Sequence, residues 1–102
     1  MARVRVDAGH IRDWGSFHRA FKEAMGFPGS YGEDMDAWID GMGDLARVAV
    51  GPGGLLVIEV ANAIGFRGRC PELFAELVEA AAYVNHRYAE EGLPPPLALL
   101  FV

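Results

Sequence analysis

The segment LLVIEV, residues 55–60, is an apolar run with a single charged residue, Glu59. A short apolar run of this kind, preceded by the turn sequence GPGG (51–54), is typical of a strand that is buried on both faces. The segment LALLFV (97–102) has the same character, and RVRVDA (3–8) alternates apolar and basic residues as a strand with one wet face does. The sequence therefore predicts three strands.

Two segments between the first and second strands have helical periodicity. SFHRAFKEAMGFP (16–28) predicts a first helix, with Ser16 as its N-cap and His18 on the solvent side. EDMDAWIDGMG (33–43) predicts a second helix, and Trp38 belongs to its buried apolar stripe.

The segment between the second and third strands predicts a long helix from Pro71 to about Glu91. Proline suits the first helical position, and Gly92 suits the position just after the last turn. ANAIGFRGR (61–69) is predicted to be an irregular connection that can include a short helical turn. The element order is then β-α-α-β-α-β.

This order determines the expected fold. Strands that are joined by helical crossovers form a parallel sheet. We therefore expect an α/β fold in which a three-stranded parallel sheet packs with three to four helices in two layers. A chain of 102 residues is enough for one hydrophobic core, so residues 1–102 are expected to form a single domain.

The composition is that of an ordinary globular protein, with 52% apolar and 23% charged residues. No apolar run approaches the ~18 residues that a membrane span requires, and MARVRVDAGH (1–10) does not have the pattern of a signal peptide. The only cysteine is Cys70, so an internal disulfide is excluded and a reducing compartment is indicated. We expect a cytoplasmic protein without membrane association.

No residue pattern typical of catalysis or of cofactor binding is present. The three histidines lie far apart in the sequence, and DMDAWIDG (34–41) lacks the oxygen ligands of a calcium loop. GPGG lacks the lysine and hydroxyl residue of a phosphate-binding loop. A small enzyme that uses the Cys70 thiol, beside Arg67 and Arg69, is a weaker alternative. The sequence thus predicts no catalytic residues, no metal and no cofactor.

The negative charge is concentrated in one segment. Residues 33–44 contain five acidic residues and no basic one, which equals the net charge of −5 of the whole chain. The remaining residues carry nine acids and nine bases. A negative patch on an otherwise neutral protein argues against nucleic acid as a partner, because nucleic-acid sites are basic. It favours a basic protein surface.

Four of these acids, Glu33, Asp36, Asp40 and Asp44, fall within an arc of about 80° on a helical wheel. The helix dipole explains acids in the first turn, but not Asp40 in the middle or Asp44 towards the C-terminal end. Asp36 and Asp40 also repel each other at a spacing of four. Tyr31, just before the helix, is a residue type enriched at protein interfaces. These features predict a protein-binding surface rather than a face selected only for stability.

A further set of features points to a family. Ile11 and Asp13 precede the first helix, which contains the pair Phe17-His18; a proline and an aromatic-Gly-Glu turn follow at Pro28, Tyr31, Gly32 and Glu33, and then the pattern D-A-x-x-D at Asp36, Ala37 and Asp40. In these features residues 11–45 resemble the barstar family, the intracellular inhibitors of barnase-type bacterial ribonucleases. Over residues 46–102 the resemblance rests on the order of the elements.

The resemblance implies a three-stranded parallel sheet with helices, and binding to a ribonuclease active site through the second helix and the loop before it. Asp40 would be the main phosphate mimic. The partner would be an extracellular-type bacterial ribonuclease, which is a basic protein, and the free chain would be a monomer. The expected partner-binding residues are Tyr31, Gly32, Glu33, Asp36, Asp40 and Asp44.

Two departures from the family pattern lie in the loop and the second helix. Ser30 precedes Tyr31 where the family often has two consecutive aromatics. Ile39 stands where the family's tryptophan is expected, and Trp38 is one residue earlier.

A third departure lies near the end of the last helix. Counting back from Gly92 places Arg87 where an interface carboxylate is expected, with Glu90 and Glu91 as alternatives. An alternative function is therefore a barstar-like interaction module that binds another basic protein without inhibiting a nuclease.

Overall fold

Three parallel strands form the centre of the protein in the computed structural model, which describes all residues from Met1 to Val102. They are β1 (Ala2–Asp7), β2 (Leu56–Ala61) and β3 (Leu97–Phe101), in the order β1-β2-β3. Leu56 pairs with Ala2 on one side and with Leu97 on the other. The predicted α/β fold with a three-stranded parallel sheet is confirmed.

Four helices accompany the sheet: α1 (Trp14–Met25), α2 (Met35–Ala49), α3 (Ala63–Arg69) and α4 (Pro71–Glu90). A single 3₁₀ turn, Ala8–His10, follows β1. The predicted long helix is confirmed from its proline start to its end near residue 91. None of the helices is long and apolar enough to cross a membrane.

The predicted cap of α1 is wrong. The N-cap is Asp13, whose Oδ1 accepts a hydrogen bond from the Ser16 backbone N–H at 2.8 Å. Ser16 Oγ in turn accepts a hydrogen bond from the Asp13 backbone N–H at 3.1 Å. This reciprocal capping box satisfies two backbone donors at once, which explains why the helix begins three residues earlier than a lone serine cap would place it.

The extent predicted for the second helix is also wrong, whereas the short helical turn that the sequence allows within residues 61–69 is present as α3. α2 continues to Ala49 because Ala46 extends the buried stripe of Trp38 and Met42, and all three are fully buried. Residues 63–69 form α3 despite two glycines, because Phe66 is fully buried in the core. Tertiary packing here outweighs a low intrinsic helix propensity.

The core lies between the helices and one face of the sheet, and 22 buried residues form it. The opposite face of β1 carries Arg3 and Arg5, which pair with Glu59 of β2 at 3.6 and 2.5 Å. The predicted strand with one wet face is therefore confirmed for β1. α2 packs mainly on α4, where Tyr88 donates a hydrogen bond to the Gly43 carbonyl at 2.9 Å. This arrangement leaves the outer side of α2 free.

Candidate functional site

The outer side of α2 carries three carboxylates. Asp34 is the N-cap, and its Oδ1 accepts a hydrogen bond from the Ala37 N–H at 2.7 Å. Asp36, Asp40 and Asp44 follow at intervals of four, and all three are exposed. Residues at this spacing lie above one another on a helix, so these three form one row, the acidic ridge. Asp44 lies in the C-terminal half of α2, which continues past the end predicted for it.

Glu33 is not part of the acidic ridge, and the predicted four-residue arc is wrong at this position. It precedes the helix with φ of 53°, in the left-handed region that residues other than glycine rarely adopt. Helical periodicity does not apply there, and Glu33 lies on another side of the loop beside Trp14 and Met35. A glutamate in this backbone conformation is strained, and the conformation persists only because the surrounding structure holds it.

Tyr31 connects the loop before α2 to the core. Its hydroxyl lies 2.6 Å from Nδ1 of His18, and its ring packs on Phe27 with centroids 4.8 Å apart. Its backbone N–H donates to the carbonyl of Pro28 at 2.9 Å. The half-buried side chain is therefore held in place before any partner arrives.

His18 was predicted on the solvent side, and that prediction is wrong because only 2% of the residue is exposed. Its ring stacks on Trp14 at 5.8 Å and meets Phe17 edge-on at 5.1 Å. The sequence does contain an indication that His18 is buried. On a helical wheel His18 lies about 20° from Met25, at the edge of the apolar stripe.

Burial determines the protonation states of His18 and Tyr31. Desolvation lowers the pKa of His18, and the charges of Asp34 and Glu33 oppose this in part. Desolvation and the same two charges raise the pKa of Tyr31. A neutral imidazole and a protonated phenol are thus the partners in the hydrogen bond near neutral pH.

The buried histidine predicts a pH-dependent stability. Because the folded pKa of His18 lies below its ordinary value of 6.5, the unfolded chain takes up this proton first as the pH falls. The contribution is fully present above pH 6.5 and is lost as the pH falls through the folded pKa. The free energy of unfolding should fall by at most about 1.4 kcal/mol per pH unit. Urea denaturation at about pH 7.5 and about pH 5 measures this slope.

His18→Gln is the variant that removes the titrating group, and it should flatten the pH dependence over this interval. His86→Gln serves as the matched control, because His86 is exposed and pairs only with Glu90 at 3.4 Å. Equal slopes in the wild type and in His18→Gln would contradict the assignment.

An apolar groove borders the acidic ridge on the side of the loop. Phe27 lies close to α2 because residue 41 is glycine; a Cβ there would lie 3.1 Å from the Phe27 ring. Val48, at the far end, is 87% exposed. The groove is lined by Phe27, Leu45 and Val48, with Asp40 and Asp44 along one edge and Tyr31 and Gly32 at one end. The structure thus brings together four of the predicted site residues, Tyr31, Gly32, Asp40 and Asp44.

Helix α4 borders the acidic ridge on the other side. Arg87 Nη1 donates to Asp40 Oδ1 at 2.8 Å, and Arg47 Nη2 donates to both carboxylate oxygens of Glu91 at 3.0 and 3.1 Å. Both arginines lie outside the acidic segment 33–44. The fold therefore places two positive charges beside the ridge, and helical periodicity alone does not indicate these contacts between helices.

The chemistry that this surface offers is recognition. Nowhere do three His, Cys, Asp or Glu side chains come together as metal ligands. Cys70 is buried at the start of α4, where its thiol lies 3.8 Å from the carbonyl oxygen of Ile11. Exposed carboxylates beside an apolar groove suit contact with a basic protein surface that also carries an apolar or aromatic side chain.

Comparison with known protein families agrees with this architecture. A family model described as barstar (barnase inhibitor) matches residues 1–99. The match spans β1, β2, the first part of β3, the four helices and the acidic ridge. The chain belongs to the barstar family. The resemblance found in residues 11–45 is thereby confirmed, and the family is one of inhibitors rather than of enzymes. No curated protein matches the chain.

Within the barstar family pattern, the shifted tryptophan now has a structural explanation. Trp38 is fully buried, and its ring meets Phe21 edge-on at 5.6 Å. Moving a side chain by one residue rotates it by about 100° around the helix, which takes the ring from the groove between α2 and α4 into the core. Ile39 then presents an aliphatic side chain to the groove between α2 and α4.

Proposed function

We propose that this barstar-family protein inhibits a bacterial ribonuclease of the barnase type by occluding its active site. The acidic ridge of α2 enters the basic cleft where the phosphates of RNA bind, and the loop before α2 packs at the rim of the cleft. Asp40 is the central contact, with Asp36 one turn before it and Asp44 one turn after it. Tyr31 and Gly32 are contacts from the loop, and Glu33 reaches the edge of the interface.

One observation carries this proposal: three exposed carboxylates stand in one row at the centre of a face that also carries an apolar groove. Side chains that are four residues apart on a helix are separated by about 5–6 Å at Cβ, so the row presents successive negative groups to a cleft that binds a phosphate backbone. Mutual repulsion within such a row costs stability. A basic partner offsets that repulsion, because its positive groups attract each of the three carboxylates.

The prediction that tests this function is salt-dependent inhibition. RNA cleavage by barnase, and by other small secreted ribonucleases of its type, is measured with increasing amounts of the protein. We expect inhibition of at least one enzyme. Association with that enzyme should slow by about tenfold or more between about 0.05 and about 1 M NaCl, because the Debye length falls to about 3 Å at the higher concentration.

The rate of each ribonuclease without the protein, measured at every salt concentration, is the control. Inhibition that does not change with salt would contradict an electrostatic mechanism. Binding to a ribonuclease without loss of RNA cleavage would favour the alternative function, an interaction module that binds a basic protein but leaves its active site open.

A further inference from the structure

Arg87 places a positive charge beside the centre of the acidic ridge. Its guanidinium donates to Asp40 Oδ1 at 2.8 Å, and its Cζ lies 5.1 Å from the centroid of the Tyr83 ring. The hydrogen bond to Asp40 raises the pKa of Arg87, so the guanidinium is charged at all relevant pH values. Two contacts therefore fix a positive charge beside the central carboxylate of the acidic ridge.

The contact between Arg87 and Asp40 leaves both groups available to a partner. The side chains of Arg87 and Asp40 are 48% and 67% exposed. A guanidinium has five N–H donors, and Arg87 uses one of them, Nη1, on one oxygen of Asp40. Arg47 differs, because it engages both oxygens of Glu91. Around Arg87, by contrast, one oxygen of Asp40 and four N–H donors of the guanidinium remain available to a partner.

A partner that covers Asp40 must also cover Arg87, because the two side chains are in contact. Burying a charge without a partner is costly, since its hydration is lost and nothing replaces it. A cleft that is basic throughout would place like charge against Arg87 and would therefore be disfavoured. A cleft that has a carboxylate at this point would complete a network of Asp40, Arg87 and the partner's acid.

We propose that Arg87 determines specificity: it selects a ribonuclease whose basic cleft carries an aspartate or glutamate at the point facing the end of α4, and it disfavours ribonucleases without one. This inference rests on the proposed function and names the chemistry of the partner. Specificity of this kind comes as much from a mismatch with the wrong partner as from attraction to the right one.

The experiment compares Arg87→Glu and Arg87→Ala with the wild type against two enzymes. One is barnase, and the other is the ribonuclease of the same type that the wild-type protein inhibits most strongly. Arg67→Glu is the matched control, because it makes the same change of charge on α3, where Arg67 lies over Phe74 at 5.8 Å and away from the acidic ridge. Unfolding in urea verifies that each variant is folded.

We expect Arg87→Glu to affect the inhibition of the two enzymes in opposite directions. Arg87→Glu should inhibit barnase about tenfold or more better than the wild type, and should inhibit the preferred ribonuclease about tenfold or more worse. Arg87→Ala should shift the two inhibition constants in the same directions as Arg87→Glu does, but by smaller factors. Arg67→Glu should change each inhibition constant by less than about threefold.

The inference is overturned if barnase is itself the enzyme most strongly inhibited, if Arg87→Glu shifts both enzymes in the same direction, or if its effect equals that of Arg67→Glu. It is also overturned if Arg87→Glu gains no activity against barnase. Each of these results leaves the proposed function standing, provided that some ribonuclease is inhibited and that this inhibition depends on Asp40. Absence of inhibition of every enzyme would remove the proposed function and this inference with it.

Discussion

Asp40→Ala should weaken inhibition of the preferred ribonuclease by about 100- to 4000-fold. Asp40 is the middle member of the acidic ridge and borders both neighbouring grooves. In the bound state its removal would leave a basic group of the cleft buried without a partner, which typically costs about 3–5 kcal/mol, and each 1.4 kcal/mol is about tenfold in affinity. The inhibition constant for RNA cleavage measures the effect.

Glu76→Ala is the matched control for this variant, because it also removes one exposed carboxylate from a helix but lies on the first half of α4. We expect it to change the inhibition constant by less than about threefold. Asp40→Asn, which keeps the shape of the side chain, should lose nearly as much inhibition as Asp40→Ala. Unchanged inhibition by a folded Asp40→Ala protein would remove Asp40 from the interface.

Trp38→Ala should lower the free energy of unfolding by about 3–5 kcal/mol, a large part of the roughly 5–15 kcal/mol that stabilises a domain of this size. The side chain is fully buried, and it is among the largest in the core. Truncation would leave a cavity next to Phe21, on which the indole packs. The indole Nε1 has no hydrogen-bond partner, so its loss offsets a little of this cost and favours the lower part of the range.

Urea denaturation followed by far-ultraviolet circular dichroism measures this loss, because the signal does not depend on tryptophan fluorescence. Trp14→Ala is the matched control: the same residue type is removed at a position that is 45% exposed. We expect it to cost about 1 kcal/mol, since it stacks on His18 at 5.8 Å. Equal losses in the two variants would contradict the burial of Trp38.

The sheet was predictable from the sequence because its strands are short apolar runs bounded by turn residues. LLVIEV and LALLFV gave β2 and β3 within one residue, and the alternation of RVRVDA gave β1. The helical crossovers then left a parallel sheet as the only arrangement. α4 was equally clear, since Pro71 and Gly92 mark its two ends.

The features that the sequence predicts incompletely or wrongly, such as α3 and the position of His18, share one cause: local sequence patterns do not record tertiary contacts. α3 contains Gly65 and Gly68 and has little helical propensity by itself, yet burial of Phe66 holds it. His18 was assigned to solvent by its polarity, although its position on α1 is at the edge of the apolar stripe. In both cases packing decided against the preference of the isolated segment.

For the candidate site, the sequence identified the acidic ridge but not what surrounds it. Asp36, Asp40 and Asp44 could be placed in one row because helical periodicity relates them. Arg87 is 47 residues from Asp40, and only the packing of α4 on α2 brings the two together. The charge of a surface is therefore a property of the fold, and counting charges in one segment overstates how negative this face is.

The hydrogen bond between Tyr31 and His18 has a consequence for how such inhibitors diverge. Under the proposed function, Tyr31 contacts both the interior and the partner, so a substitution there would weaken stability and recognition together. Ser30 and Arg87 are exposed, so they can vary without disturbing the packed interior. We therefore expect that related chains acquire new target preferences by changes around the position of Tyr31, while this tyrosine and His18 are retained.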